Sequence, residues 1–256
     1  KPAMNASAPL TALVNVRVLG DHGPREGCAV LVEAERIHAI APADDPRVAH
    51  AECIDLEGKL LAPGFIDVQV NGGGGRLFND DPGVETLRVI AAAHRRFGTT
   101  GLLPTLISDD AERTRAALEA VDAAIAQGVP GILGIHLEGP FLAPARKGIH
   151  AAARLRALTA DDLDLLCQPR RGVLMLTLAP ECVSADAIRV LSQAGVRVVI
   201  GHSGADYATV RQALDAGACG FTHLYNAMSP LGSREPGMVG AALDDPHTWC
   251  GLIVDG

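Results

Sequence analysis

From Pro63 onward the sequence alternates between short apolar runs and helical segments, and this alternation limits the possible folds more than any other feature. In the segment 110–127, for example, Leu118, Val121 and Ile125 recur on one helical stripe, and Gly128 follows as a stop signal. Strand-like runs begin near residues 64, 101, 131, 173, 196, 218 and 250. Strands that alternate with helices at this spacing pair in parallel. The sequence therefore predicts an α/β fold.

The number of strand–helix units, about seven, predicts the architecture. About eight such units close a barrel, so we expect a (β/α)8 TIM-type barrel that here lacks its last strand and C-terminal part. Residues 10–62 differ, because short strand-like runs at 11–18, 28–33 and 36–40 are separated by turns rich in Gly and Pro, as in a small antiparallel sheet. We expect two domains, residues 1–62 and residues 63–256.

The composition argues against several functional classes. A net charge of −8 at pH 7 argues against a general nucleic-acid surface. No apolar run approaches the ~18 residues of a membrane span, so no membrane partner is expected. The six cysteines are scattered without a C-x-x-C pair, which favours reduced thiols in a cytoplasmic protein. A small anionic substrate stays compatible with this charge, because it needs only one or two local cations.

Polar residues collect where the predicted strands end. In a (β/α)8 barrel the active site lies at the C-terminal ends of the strands. Glu138, His202 and His223 stand at such ends, and two imidazoles with one carboxylate form a common zinc site with an open position for water. Each residue taken alone is more simply explained as an ordinary polar residue at the end of a strand. The three together favour a metal site.

Two further groups of polar residues lie on the predicted strands. Asp67, Gln69 and Asn71 alternate along the first predicted strand, and a period of two places their side chains on one face. His136 precedes Glu138 by two residues and shares its predicted face. For His136 the sequence leaves two roles open, a hydrogen-bonding role in the core and support of the metal site.

The motifs resemble those of one family over nearly the whole chain from about residue 10. They are PGFIDVQVNGGGG (63–75), GTTGLLPTLIS (98–108), GIHLEGPFLAPARKGIH (134–150), TLAPE (177–181), GHSGADY (201–207) and THLYNAMSPLGSREPGMVGAAL (222–243). Their types and order resemble the N-acetylglucosamine-6-phosphate deacetylases of the amidohydrolase superfamily. The resemblance implies that residues 1–62 belong to a small β-sandwich domain and residues 63–256 to a metal-dependent hydrolase barrel.

The resemblance also implies an activity and a metal. The reaction is hydrolysis of the acetamide of N-acetylglucosamine 6-phosphate to glucosamine 6-phosphate and acetate, in amino-sugar catabolism and cell-wall recycling. Glu138, His202 and His223 match the ligands of one divalent metal ion, for which zinc is favoured over iron, manganese, cobalt and cadmium. Relatives with an H-x-H pair on the first strand bind a second metal there. Gln69 and Asn71 occupy those positions as neutral amides, which are poor zinc ligands, so a single metal and a supporting role for the amides are expected.

The remaining site residues are implied by the same match. His150 takes the role of polarising the acetyl carbonyl, although alone it would be assigned to an exposed loop. Asn226 and Ala227 match donors for the sugar phosphate. Arg234 matches a phosphate-binding arginine that in this family can come from the partner subunit of a homodimer.

One expected component is missing from the sequence. The superfamily's general base is an aspartate at the end of the eighth strand, and Asp255, after the seventh, does not match that position. We expect the natural protein to continue and the 256-residue chain alone to be inactive. Two alternatives stay open: another amidohydrolase, such as an N-acetylgalactosamine-6-phosphate deacetylase or a cyclic amidase, and a non-catalytic metal-binding barrel.

Overall fold

The computed structural model describes residues 9–254, so Asp255 lies outside the described residues. The chain divides into two compact units, and the division falls between Gly64 and Phe65. Within the described range, no helix combines the length and the apolar character needed to cross a bilayer.

The first unit is a single mixed sheet rather than the small antiparallel sheet that the sequence predicts. Its strands are β1 (Leu10–Gly20), β2 (Gly23–Glu33), β3 (Arg36–Pro42), β4 (Glu52–Asp55) and β5 (Leu60–Leu61). β3, β2 and β1 pair antiparallel, whereas β4 and β5 pair parallel with successive parts of β1. The two parallel strands are too short to produce a clear alternation in the sequence. Buried Val30 and Leu31 are neighbours on β2, so both faces of this sheet carry apolar side chains.

Within residues 65–254 the second unit contains seven parallel strands that pair in chain order, which confirms the predicted parallel α/β arrangement. The elements are β6 (Phe65–Val70), the hairpin β7 (Gly72–Gly73) and β8 (Arg76–Leu77), α1 (Val84–Arg95), β9 (Thr99–Ile107), α2 (Ala111–Ala126), β10 (Gly134–Glu138), α3 (Ala160–Leu166), β11 (Val173–Leu178), α4 (Ala185–Gln193), β12 (Arg197–Ile200), α5 (Tyr207–Asp215), β13 (Gly220–Phe221), α6 (Gly237–Asp244) and β14 (Trp249–Cys250). All strands except β7 and β8 belong to the seven-stranded sheet. Because the strands are parallel, their C-terminal ends share one edge.

Local signals set the helix starts. The side chain of Asp110 accepts a hydrogen bond from the backbone N–H of Arg113 at the start of α2. Ser184 and Asp206 cap α4 and α5 in the same way. Each cap satisfies a backbone donor that has no partner inside the helix. These helices bury their apolar stripes in one continuous apolar core with the sheet.

The last two strands are shorter than the predicted runs 218–224 and 250–254. β13 stops at Phe221 because His223, two residues later, has a φ of 35° and cannot continue an extended strand. β14 then pairs with only the two residues that β13 offers. The shortened β13 leaves Thr222 and His223 free to turn toward the strand-end edge.

Candidate metal centre

Three strand ends bring together one carboxylate and two imidazoles. Glu138 is the last residue of β10, and His202 and His223 each follow by two positions the last residue of their strands, β12 and β13. All three are buried. The two histidines have positive φ values, 48° and 35°, a conformation that costs non-glycine residues about 1–3 kcal/mol and clusters at functional sites. The packed strands hold both rings in place against that cost.

The polar atoms of these side chains meet at close range. Nε2 of His202 and Nε2 of His223 both lie 3.1 Å from Oε1 of Glu138, and they lie 3.0 Å from each other. Among the described residues, this trio is the one group of His, Cys, Asp and Glu side chains with the spacing of a metal-ligand set. The structure therefore brings together the three residues predicted as ligands.

The outer nitrogens of the two rings define their tautomers. Nδ1 of His202 lies 2.9 Å from the carbonyl oxygen of Arg146, and Nδ1 of His223 lies 3.1 Å from that of Asn226. A carbonyl only accepts, so each neutral ring carries its proton on Nδ1 and turns the lone pair of Nε2 inward. Two lone pairs and a carboxylate oxygen then converge, and such a set repels itself unless a cation lies between its members. This donor set fits a divalent metal ion.

The electrostatics of the site favour positive charge. Burial alone would raise the pKa of Glu138, but the neighbouring rings of His150, His202 and His223 outweigh burial and hold that pKa far below its usual range. Burial alone would lower the pKa of His223, but the hydrogen bond that Nε2 donates to Glu138 when the ring is protonated raises it. The carboxylate is therefore ionised, and its surroundings attract either a proton or a metal ion.

His150 is fully buried beside this cluster rather than exposed in a loop. The backbone N–H of Ser108 donates to Nδ1 of His150 at 3.2 Å, and the hydroxyl of Ser108 lies 2.8 Å from the same nitrogen. Because Nδ1 accepts, a neutral ring carries its proton on Nε2. That Nε2 has no hydrogen-bond partner in the described protein and lies 3.6 Å from Oε2 of Glu138. A buried donor without a partner is available to a ligand.

The two amides of the first strand make different contacts from those of Asp67. Gln69 donates from Nε2 to Oε1 of Glu138 at 3.0 Å, and both Gln69 and Asn71 line the pocket at the cluster. Asp67 instead accepts a hydrogen bond from the backbone N–H of Gln69, and it does not line that pocket. A register irregularity between Asp67 and Val70 breaks the period of two. The structure therefore brings two of the three predicted side chains, those of Gln69 and Asn71, to the pocket lining.

The pocket has a volume of about 390 Å³. It is lined by Gln69, Asn71, Leu77, Asn79, Ile107, Glu138, Ile149, His150, His202 and His223. Four of these residues were not predicted from the sequence: Leu77, Asn79, Ile107 and Ile149. The isoleucines lie one residue before Ser108 and His150, so their proximity to the assigned motifs was the available signal.

The glycines after Asn71 pack against helix α1. His94, a residue given no role from the sequence, places Nε2 2.9 Å from the carbonyl oxygen of Gly72. A Cβ at Gly73 would lie 2.9 Å from Cδ2 of that ring, and a Cβ at Gly74 would lie 2.8 Å from Cγ1 of Val89. The close approach requires glycine at both positions, and it fixes the loop that follows the pocket residue Asn71.

The predicted phosphate-binding residues lie outside the pocket lining. Asn226 is exposed and contributes its carbonyl oxygen to His223, and Ala227 is half-buried with a φ of 51°. Arg234 is exposed on the loop before α6.

Glu181, another strand-end acid, accepts hydrogen bonds from the Ser203 hydroxyl at 2.5 Å and from the backbone N–H of Gly204 at 2.7 Å. It thereby holds the segment that follows His202.

His136 lies inside the sheet, two residues before Glu138, and is fully buried. Burial lowers the pKa of His136 to about 4, so the ring is neutral near pH 7. Its two nitrogens contact hydroxyls of Thr105 and Thr177. The sequence pattern was compatible with this core role and with support of the metal site, and it gave no signal for the two threonines.

No model of a known protein family matches the chain. A Shewanella protein named N-acetylgalactosamine-6-phosphate deacetylase is 54% identical over 201 residues, which cover 78% of this chain and 51% of that protein. The crystal structure of N-acetylglucosamine-6-phosphate deacetylase from Pasteurella multocida matches with a TM-score of 0.91 and 37% identity, covering 96% of this chain and 65% of that one. The chain therefore spans about half to two thirds of the length of these relatives.

The structure of N-acetyl-D-glucosamine-6-phosphate deacetylase from Mycobacterium smegmatis also matches. Its TM-score is 0.86 and its identity 32%, over 97% of this chain and 69% of that one. The match therefore covers nearly all of this chain. The chain belongs to the N-acetylglucosamine-6-phosphate deacetylase family of the amidohydrolase superfamily.

Proposed function

We propose that the chain forms the metal-binding part of a hydrolase that cleaves the acetamide of N-acetylglucosamine 6-phosphate to glucosamine 6-phosphate and acetate. One observation carries this proposal: the lone pairs of His202 and His223 converge with the Glu138 carboxylate beside the unpartnered Nε2 of His150. The activities named for the relatives support the choice of substrate.

The proposed cofactor is one divalent metal ion held by Glu138, His202 and His223. Two imidazole nitrogens and one carboxylate oxygen are a donor set that zinc favours, so zinc is the first candidate. A metal held by these three residues would lower the pKa of a bound water molecule and polarise a carbonyl. Gln69 supports the site differently, because its amide donates to Glu138 and so orients that ligand.

We predict about one metal ion per chain by elemental analysis of the purified protein. The amides of Gln69 and Asn71 are poor ligands for a second ion. The double substitution Gln69→His with Asn71→His supplies two imidazoles at these positions and is expected to raise the content toward two. A content of two in the unaltered protein would contradict the role proposed for the amides.

His150 is proposed to bind the acetyl carbonyl oxygen. Its Nε2–H is buried without a partner, the residue lines the pocket, and Ser108 holds the other ring nitrogen as an acceptor. Negative charge develops on the carbonyl oxygen as the tetrahedral intermediate forms. A preorganised donor stabilises the reacting group most at that point, because its hydrogen bond strengthens as the negative charge grows.

The phosphate of the substrate is assigned to Asn226, Ala227 and Arg234. The planar guanidinium of an arginine donates two parallel hydrogen bonds to a phosphate. Arg234 is exposed, which leaves it able to act in the site of a partner subunit in a homodimer.

Replacing Arg234 by Ala is expected to raise KM for the phosphorylated sugar roughly 10- to 100-fold, the value of a hydrogen bond to a charged group. The kcat changes little, because the lost contact serves the ground state and the transition state alike. Steady-state kinetics with N-acetylglucosamine as the unphosphorylated comparison measure this. Arg36→Ala, at an exposed arginine of β3, is the matched control. An equal loss for both sugars would contradict a phosphate contact.

The decisive assay measures acetate release from N-acetylglucosamine 6-phosphate. The chain spans only part of its relatives' length, so the assay compares the 256-residue chain with a protein extended to that full length. We expect turnover by the extended, metal-loaded protein. Absence of turnover in a protein that holds one metal per chain would refute the proposed reaction and leave the metal site intact.

A second candidate substrate is the galactosamine epimer. The 54% identical relative is named for N-acetylgalactosamine 6-phosphate, and this observation favours the alternative. The two sugars differ in the orientation of one hydroxyl group. The ratio of kcat/KM for the two epimers, measured side by side in the acetate assay, decides between them.

We also propose a domain assignment and a location. Residues 1–62 are assigned to a small β-sandwich domain, supported by apolar side chains on both faces of the first sheet. Residues 63–256 are assigned to a (β/α)8 barrel. A reducing, cytoplasmic compartment is supported by the six cysteine thiols, all of which are free within residues 9–254.

A further inference from the structure

A chain of hydrogen bonds runs through the interior of the parallel sheet next to the ligand cluster. His136 of β10 lies between Thr105 of β9, at 3.1 Å from Nδ1, and Thr177 of β11, at 2.7 Å from Nε2. The hydroxyl of Thr177 continues to that of Thr222 at 2.7 Å. All four side chains are buried. Buried polar groups of this kind persist only when their hydrogen bonds are satisfied.

Gly201 at the end of β12 permits the last of these contacts. A Cβ at Gly201 would lie 2.9 Å from Cγ2 of Thr177 and 3.1 Å from Cβ of Thr222. The strand between the two threonines therefore lacks a side chain where their hydroxyls meet. The glycine of the GHS motif thus leaves room for the contact between the two threonine hydroxyls, and the same motif carries His202.

The direction of the chain follows from counting donors and acceptors. Among the described residues, the hydroxyl of Thr222 has one partner, Thr177, so it uses its hydrogen only if it donates there. Thr177 then donates to Nε2 of His136, and the ring hydrogen lies on Nδ1. In the opposite direction the hydrogen of Thr222 would have no described acceptor.

The other end of the chain agrees with this direction. Thr105 accepts from Nδ1 of His136 and from the backbone N–H of Val70, and it donates to the carbonyl oxygen of Leu103 at 3.3 Å. This uses both lone pairs and the hydrogen of the Thr105 hydroxyl. Every polar hydrogen from Thr222 to Thr105 then has an acceptor.

The ends of the chain adjoin the residues of the proposed metal centre. Thr222 directly precedes His223, and His136 shares the face of Glu138 on β10. Val70 directly follows Gln69, whose amide donates to Glu138. A shift at any of these contacts moves a ligand or the amide that orients it.

We propose that Thr105, His136, Thr177 and Thr222 form a positioning network that sets the spacing of Glu138 and His223, with the His136 proton on Nδ1. This inference rests on the proposed metal site. None of the four side chains is proposed to touch substrate. They act through the ligands next to them, as groups outside the ligand shell do in other metal sites.

The test replaces Thr177 by Val, which keeps the shape of the side chain and removes the hydroxyl that joins His136 to Thr222. We expect the dissociation constant for zinc, measured on the full chain by competition with a chelator, to rise about 10- to 100-fold, the range for groups outside the ligand shell. Thr177→Ser restores the hydroxyl and is expected to recover most of the affinity. It also serves as the informative variant if Thr177→Val fails to fold.

The matched control is Thr114→Val. Thr114 is another buried threonine, its hydroxyl donates to the carbonyl oxygen of Asp110, the N-cap of helix α2, and it does not line the pocket. We expect its zinc affinity to equal that of the unaltered chain. Melting temperatures of all variants separate stability from metal affinity. If Thr177→Val lowers the melting temperature as Thr114→Val does but binds zinc normally, the network has only a structural role and the inference is wrong.

Two further outcomes are distinguishable. If the unaltered protein binds no zinc or other divalent ion, the proposed function fails, and the positioning role fails with it. The tautomer is read independently by NMR of ¹⁵N-histidine-labelled protein. A proton on Nδ1 of His136 is expected, and a proton on Nε2 alone would overturn the assigned direction.

Discussion

Replacing Glu138 by Gln is expected to abolish tight metal binding and, with it, catalysis. The carboxylate supplies the one negative charge in a set that otherwise contains two neutral imidazoles, and its Oε1 lies 3.1 Å from both Nε2 atoms. A neutral amide is a poor ligand for zinc. Loss of a direct ligand should exceed the roughly 100-fold loss in affinity or activity that follows loss of an outer hydrogen-bonding partner. Elemental analysis and acetate release measure the two effects.

Glu119→Gln makes the same chemical change at an exposed position of helix α2 and should leave both measurements unchanged. Gln69 gives a comparison within the site, because it carries no charge and only orients Glu138 through a hydrogen bond. Retention of one metal per chain by the Glu138→Gln protein would mean that the ligand set has been wrongly assigned.

Replacing His150 by Ala is expected to lower kcat by about 10²- to 10³-fold, the usual loss when one donor to a developing oxyanion is removed. The metal content should stay at about one per chain, because the inward nitrogen of His150 is assigned to substrate rather than to metal. Its Nε2 lies 3.6 Å from Glu138 and has no partner in the described protein. Kinetics and elemental analysis on one preparation separate the two properties.

His150→Gln places an amide donor near the position of Nε2 and should recover part of the loss. His247→Ala removes an exposed histidine and should have no effect on either measurement. A His150→Ala protein that loses its metal together with its activity would contradict the division of roles, because His150 would then behave as a ligand.

Helix α2 of the second unit could be predicted closely from the sequence. The segment 110–127 was expected to form a helix, and α2 spans Ala111–Ala126. Its start depends on Asp110, whose side chain bonds to a backbone N–H three residues later. Such a signal lies within a single turn of the chain, so it can be recognised without knowledge of any distant contact.

Elements that depend on distant partners were predicted less well. β4 and β5 were missed because the two short strands form only by pairing along β1. The run 218–224 was expected to continue as a strand, but the backbone turns at His223 into the ligand cluster. Of Asp67, Gln69 and Asn71, only the last two line the pocket, and the strand register is irregular between Asp67 and Val70. In each case a tertiary contact overrode the local pattern.

The residues of the candidate site divide in the same way. The alternation of strands and helices placed Glu138, His202 and His223 at one edge of a sheet, because parallel strands end together. The tertiary structure alone decided which atoms face one another. Glu138 and His223 are 85 positions apart in the chain and 3.1 Å apart in space.

The sequence by itself determined the kind of fold, the helix ends and the types of ligand at the strand ends, because local hydrogen bonds and periodicity encode these. The tautomers of His202 and His223, the buried donor on His150 and the threonines around His136 depended on the tertiary structure. They depend on which backbone carbonyl, amide or hydroxyl lies against each ring, and those neighbours come from other strands and loops. The polar stretch after Pro63 belongs to both groups, since its period was visible in the sequence but its faces were set by packing.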